Sequence, residues 1–233
     1  YAAPPDLPYD QREEDGGALI FETLPLDEHL EILGPPKLTL DVASNQPVAM
    51  IAARLSDVAP DDKATRVTYG LLNLCHRNSH EAPELLEPGK TYRVQVQLNH
   101  IAQRFPRGNR LRISISTSYW PLAWPPPKPV RLTLLLGHAR LELPVRKIKE
   151  SDFGLRLFPE PEGAPAIETT RLEPGKSSWR VIRDLAGDES TLEVIKDEGT
   201  FRFDDSDWTV TSRATEWYTY HDDDFDSVQG ETL

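Results

Sequence analysis

Between residues 87 and 124 apolar and polar positions alternate in two clear runs. Val94, Val96 and Leu98 alternate with Thr91, Arg93, Gln95 and Gln97, and Leu111, Ile113 and Ile115 alternate with Arg110, Arg112, Ser114 and Ser116. A period of two is the mark of half-buried β-strands. The residues between the runs read as a polar turn, and those after them as an aromatic loop. Further strand candidates lie at residues 19–21, 38–42, 48–55, 66–74, 130–136 and 139–143. They are separated by turn-forming groups such as Gly34-Pro35-Pro36, Asn45-Gln46-Pro47, Pro106-Arg107-Gly108-Asn109 and Gly137-His138. This strand count is that of a two-sheet jelly roll. The expected fold is therefore all-β: a two-layer antiparallel jelly-roll β-sandwich over residues 17–147, with Val94, Val96, Leu98, Leu111, Ile113 and Ile115 facing inward. Leu26, Leu30 and Leu33 have helical spacing, but Pro25 and Gly34 leave room only for a short turn.

Residues 1–16 are polar and proline-rich and read as a lead-in, with ordered structure beginning near Ala18. Residues 148–177 read as a proline- and glutamate-rich connector with one candidate strand at 154–158. Runs at 178–184, 191–196, 200–203, 208–211 and 215–220 predict a small antiparallel β unit over residues 178–233. It stops without an obvious closing strand, so a truncated unit is expected. Composition agrees with many short strands, since 233 residues include 21 prolines and 13 glycines but one methionine. The net charge of −12 is unevenly placed. Residues 1–148 hold 17 basic and 17 acidic side chains, and residues 149–233 hold 9 and 21. Such acidity repels phosphates and argues against nucleic acid as a partner, while serving as an ordinary solvated face.

No apolar run reaches the length of a membrane helix, and the first residues lack the layout of a signal peptide. A membrane is therefore not an expected partner. The single cysteine, Cys75, excludes an internal disulfide and permits a reducing compartment, so a cytoplasmic location is the expectation. The chain starts at Tyr1, which reads as a fragment or processed product whose true amino terminus lies outside this sequence.

Catalytic motifs are missing from the sequence. There is no Gly-x-Ser-x-Gly elbow, phosphate loop, zinc helix or calcium loop. Cys75, His76 and His80 lack the further ligand that a metal cage needs, and Arg77 between them is unfavourable. Asp204, Asp205 and Asp207, like Asp222, Asp223, Asp224 and Asp226, read as acidic hairpin tips. No catalytic residue, metal or cofactor is expected. The loop holding Trp120, Pro121, Trp124 and Pro125 to Pro127 is different, because two tryptophans on a stiff proline frame supply contact area at low ordering entropy. It is the candidate contact surface, with Arg104 and Phe105 placed beside it, and its roles are self-packing, contact with another domain or sugar stacking.

Six segments in order carry a family resemblance: residues 21–26 (FETLPL), 32–36 (ILGPP), 53–61 (ARLSDVAPD), 67–74 (VTYGLLNL), 86–89 (LEPG) and 105–112 (FPRGNRLR). Across residues 16–146 the chain resembles the carboxy-terminal non-catalytic region of the X-Pro dipeptidyl-peptidase and cocaine-esterase-like (CocE/NonD) family of serine hydrolases. In that family a histidine usually stands where this chain has Asn109. The resemblance implies a galactose-binding-like jelly roll packed against an α/β-hydrolase domain that bears the catalytic triad and is absent here. It implies an accessory domain that is inert alone, braces its own hydrolase domain and borders that domain's cleft. Arg104, Phe105, Trp120, Pro121, Trp124 and Pro125 are the interface candidates. The alternatives are a carbohydrate-binding module using Trp120 and Trp124, and an oligomerisation module forming a homo-oligomer. Residues 150–233 carry no role from the resemblance.

Overall fold

A computed structural model describes residues 10–120, 122–147, 149–154, 157–222 and 224–233. The chain divides into two compact units, Tyr1–Ile148 and Lys149–Leu233.

In the first unit one layer is a sheet in the order β1 (Leu19–Glu22), β8 (Arg110–Ser116), β4 (Met50–Val58), β5 (Ala64–Asn73), antiparallel throughout. The facing layer holds β6 (Thr91–Gln97), β3 (Lys37–Ser44) and β9 (Leu132–Glu142). It also holds the pair β2 (Leu30–Gly34) and β7 (Ile101–Phe105). Residues following β9 join these two groups, since Leu33 N–H donates to the Pro144 carbonyl and Arg146 N–H to that of Glu31. The core lies between the layers. Ile51, Ala53, Leu55, Leu111, Ile113 and Ile115 meet Leu38, Leu40, Val42, Val94, Val96, Ile32 and Phe105. The expected two-layer antiparallel sandwich and its inward residues are present.

Several elements differ from the sequence reading. Residues 30–34 are strand β2, because the partner β7 satisfies their backbone, with Leu30 opposite Phe105. The supposed polar turn contains β7 itself. Residues 130–143 are not a hairpin around Gly137-His138. Both halves of β9 pair with β3, Asp41 facing Leu135 and Thr39 facing Arg140, and the residues between bulge out.

The lead-in also differs. A short helix, α1 (Arg12–Asp15), lies on the outer face of the β1-β8-β4-β5 sheet, with Gln11 and Asp15 buried. Gln11 N–H donates to the Ala64 carbonyl at 2.7 Å. The Asp15 carboxylate accepts from Arg54 Nη2 at 2.9 Å, Arg112 Nη1 at 2.7 Å and Ser114 Oγ at 2.6 Å. The Asp15 and Arg54 side chains are each 2% exposed. Glu22 then bridges Arg112 at 2.5 Å and Arg110 at 2.9 Å, and Arg110 also reaches Asp62. Burial would push the Arg112 guanidinium down, but its hydrogen bonds to Asp15 and Glu22 outweigh that and raise it above its usual value. The cover makes β4, MIAARLSDV, buried along nearly its whole length, with Ile51, Ala53 and Leu55 in the core and Arg54 and Ser56 outward.

The turn of the 105–112 segment is fixed to the same sheet. Gly108 adopts φ 86°, and Asn109 Nδ2 donates to Asp57 Oδ1 at 2.8 Å. Burial pushes the Asp57 carboxyl up, and the Asn109 hydrogen bond pulls it part of the way back.

The second unit is one antiparallel sheet. The central pair is β12 (Glu189–Phe203) and β13 (Trp208–His221). On one side β10 (Thr169–Glu173) and β11 (Lys176–Asp184) share β12, and on the other β14 (Asp224–Thr232) pairs with β13. Asp197-Glu198-Gly199 reads as a turn in the sequence but is a bulge within β12. A side chain at Gly199 would stand 2.3 Å from the Glu173 carbonyl oxygen, so glycine there admits the chain between β10 and β11. β13 likewise fuses two expected strands, β10 falls inside the expected connector and β14 was not expected. The candidate strand at 154–158 lies partly outside the described residues. Its described part is the end of a 3-10 turn, Glu150–Gly154, followed by irregular chain at Leu157 and Phe158.

Two outcomes follow. Asp15→Asn leaves Arg54 and Arg112 without their buried counter-charge and should cost about 3–5 kcal/mol in urea denaturation. Glu22→Gln, at a more exposed position, should cost under about 1 kcal/mol. Equal effects would show that Asp15 does not carry the network. For Asp57, the raised folded pKa means that its contribution to stability is full below the unfolded pKa and is lost as pH rises through the folded value. Asn109→Ala should raise the Asp57 pKa further in an NMR titration, and its stability deficit should be about 1 kcal/mol larger at pH 7 than at about pH 3. A deficit independent of pH would remove the hydrogen bond from the account.

Candidate functional site

The loop from β8 to β9 is pinned before its tryptophans begin. Tyr119 lays its ring 5.3 Å from that of Tyr69 in an edge contact, and the Arg54 guanidinium lies 5.6 Å from the Tyr119 ring centre. Arg66 Nη1 donates to the Tyr119 hydroxyl, and its guanidinium lies 4.9 Å from the Tyr69 ring centre. Tyr119 thus extends the covered, polar outer face that α1 begins. The Ala123 N–H closes a turn on the Tyr119 carbonyl at 2.8 Å, and Ser116 Oγ donates to the Ser118 carbonyl. These residues were missed in the sequence reading. The signal for them was the unbroken run of β4, whose lack of alternation means burial on both faces.

Beyond the pin, Trp120 and Trp124 meet edge to face, with ring centres 5.3 Å apart and planes at 67°. Pro125 and Pro126 are buried, and Trp124 is 56% exposed. Trp124 and the prolines wall a groove of about 400 Å³ whose other side is Val48, Ala49, Met50, Leu71 and Asn73. Among the described residues no lining side chain is ionisable. The one side-chain amide, that of Asn73, already accepts from the Cys75 N–H at 3.0 Å. An apolar wall without acid, base or nucleophile can bury a partner's surface but has no means of moving a proton.

The candidates do not form one patch. Trp120, Trp124 and Pro125 share the loop, and Pro121 lies outside the described residues. Phe105 is a correction: it is 0% exposed and packs in the sandwich core, because β7 points Phe105 inward and Arg104 outward. Arg104 stands exposed opposite Glu31 on the β2-β7 pair and does not line the groove. Pro125 is buried and supports the loop from below.

The metal candidates are also dispersed. His76 and His80 have ring centres 5.3 Å apart, but the buried Cys75 thiol donates to the Pro47 carbonyl at 3.6 Å. Among the described residues no group of three or more His, Cys, Asp or Glu side chains could hold a metal ion. Asp223 lies outside those residues. Among them, too, no helix is long and apolar enough to cross a membrane.

Comparison with known proteins places this geometry. Residues 1–156 match the model of the X-Pro dipeptidyl-peptidase C-terminal non-catalytic domain. The chain is 28% identical over 116 residues to a cocaine esterase of Rhodococcus sp. (strain MB1 Bresler), covering 49% of this chain and 20% of the esterase. It is 27% identical over 124 residues to a putative serine esterase of Mycobacterium bovis, covering 46% and 20%. It spans about a fifth of the length of these relatives. Among solved structures it is similar to an α-amino acid ester hydrolase, with TM-score 0.57 and 24% identity over 60% of this chain and 28% of that one. An aminopeptidase from a marine sediment Thaumarchaeota archaeon gives the same TM-score and coverage at 19% identity. These two likenesses concern the fold, whereas the family match covers the whole sandwich, its outer cover and its aromatic loop. On that match the chain belongs to the family of X-Pro dipeptidyl-peptidase C-terminal non-catalytic domains.

Proposed function

We propose that this chain is the accessory sandwich of a serine hydrolase of peptidase or acyl-esterase type, bracing an α/β-hydrolase domain of the same polypeptide and bordering its substrate cleft. The observation that carries the reading is the groove beside Trp124: apolar, partly open, held rigid by buried prolines and the Tyr119 pin, and with no ionisable side chain among its described lining residues. Such a surface suits docking rather than reaction. The similarity to esterases supports a hydrolase as the neighbour. In this reading the nucleophile, its base and the oxyanion donors belong to that neighbour, and substrate choice is made there. The chain contributes a wall and a fixed orientation.

The edge-to-face contact of Trp120 with Trp124 leaves no pair of parallel, exposed ring faces of the kind on which sugars stack. Glycan binding is therefore an outcome to be tested rather than a second reading.

The purified chain should hydrolyse neither an activated ester nor an X-Pro dipeptide amide above the uncatalysed rate. Turnover abolished by a serine-directed inhibitor would overturn the accessory role. Trp124→Ala should destabilise the isolated chain by no more than about 1.5 kcal/mol, since the side chain is mostly exposed and loses chiefly its edge contact with Trp120. In the polypeptide that also carries a hydrolase domain, the same substitution should lower thermal stability and activity together. A variant that instead loses binding on a glycan array, with hydrolase stability intact, would assign the loop to sugars.

A further inference from the structure

We propose that the bulge of β9 forms a binding site for a small carboxylate on the outer face of the β6-β3-β9 sheet, with Arg93, Arg140 and Thr39 as its donors. The inference is independent of the hydrolase reading and of the groove beside Trp124.

Alternation sets this face. Along β3 the side chains of Leu38, Leu40 and Val42 enter the core, so Thr39 and Asp41 point outward, and on β6 the inward Val94 and Val96 leave Arg93 and Gln95 outside. The ladder then aligns the outward side chains across the sheet. Asp41 stands opposite Arg93, and Thr39 lies between Gln95 on one side and Arg140 on the other.

β9 does not run flat past this row. Arg140 faces Thr39 and Leu135 faces Asp41, so residues 136–139 stand against Leu40 alone. The extra residues leave the ladder and re-aim their side chains, as bulges do. They wall a concavity of about 390 Å³ whose lining includes Thr39, Arg93, His138, Arg140 and Glu142. That volume is in the range of small-molecule sites. Gly137 keeps the wall open, since a Cβ built there would meet nothing within 4 Å.

The donors in the concavity have spare capacity. Arg93 Nε pairs with Asp41 Oδ1 at 3.1 Å, whereas Arg140 Nη1 lies 3.6 Å from Glu142 Oε1, beyond hydrogen-bond length. Among the described residues the Arg140 guanidinium, the outer Nη groups of Arg93, the Thr39 hydroxyl and the His138 ring donate no hydrogen bond. A guanidinium presents its N–H groups as a planar fork that matches the two oxygens of a carboxylate.

Charge on the face sets the charge of the ligand. Lys37, Arg93 and Arg140 against Asp41 and Glu142 leave one positive charge in excess, because Lys37 lies opposite Glu142 and Arg93 opposite Asp41. A monoanion balances that excess, and a phosphate dianion would be repelled by Glu142 in the lining. Thr39 and Glu142 further offer a donor and an acceptor to a hydroxyl carried by the ligand.

Titrating the whole 233-residue chain with sodium lactate at constant ionic strength should shift the backbone amides of residues 137–140 in NMR spectra and saturate in the millimolar range. Sodium chloride should not reproduce those shifts. Arg93→Gln and Arg140→Gln should each weaken lactate binding at least about five-fold. Both side chains are mostly exposed, so circular dichroism should be unchanged. Arg107→Gln, at an exposed position in the turn before β8, should bind lactate as the unaltered chain does. Shifts that fail to saturate, or that chloride reproduces, would overturn the proposal, as would binding indifferent to both arginine substitutions. Tighter binding of inorganic phosphate than of lactate would overturn the carboxylate as the ligand.

Discussion

The Asp15 carboxylate sits on the outer face of a sandwich sheet between two arginines that the sheet itself supplies, and the covered face depends on it. Arg54 and Arg112 are on neighbouring strands, and Ser114 completes the set of donors. Stripping such charges of water is expensive and is repaid only by close pairing and hydrogen bonds. Without the carboxylate, two guanidinium groups would hold this face open to solvent. With it, α1 and the Tyr119 loop close over the sheet as a third layer, and β4 becomes a strand buried on both sides.

That layer determines what kind of surface the first unit offers. Its polar groups are consumed internally, by Asp15, Glu22 and the contacts of Arg54 and Arg66 with Tyr119. What remains exposed beside it is apolar: Trp124 and the groove under it. A buried electrostatic lock holding a rigid hydrophobic wall is consistent with the chain's membership of a non-catalytic domain family. The second unit follows different physics. It is a single sheet of long strands with few buried residues, chiefly Leu192 and Val194, and much of its stabilisation comes from cross-strand pairs. Glu193, for example, is held below the usual carboxylate range by Arg180 and by the Trp217 indole N–H.

Alternation was sufficient to read β3, β6 and β8, where one face is core and the other polar. It failed wherever a strand's environment is set by something distant. β2 and β7 are short and exist through pairing with each other. The halves of β9 look like a hairpin because a bulge carries the same glycine-containing signal as a turn. The same ambiguity hid the continuity of β12, where Gly199 serves a close backbone approach and not a reversal of direction.

The sequence by itself determined that the chain is antiparallel β, which residues form the sandwich core, where the charge divides and which family the first two thirds resemble. Period-two patterning and ordered motifs are local, and they survive without knowledge of neighbours. Only the tertiary structure decided that Asp15 is a buried ion-pair partner rather than part of a solvated lead-in, and that Phe105 belongs to the core while Trp124 stands exposed. Each of these depends on what lies across a sheet or beyond an edge, at separations as great as the 97 residues between Asp15 and Arg112. A carboxylate, an aromatic ring or a backbone amide reads the same in sequence whether water or protein will surround it.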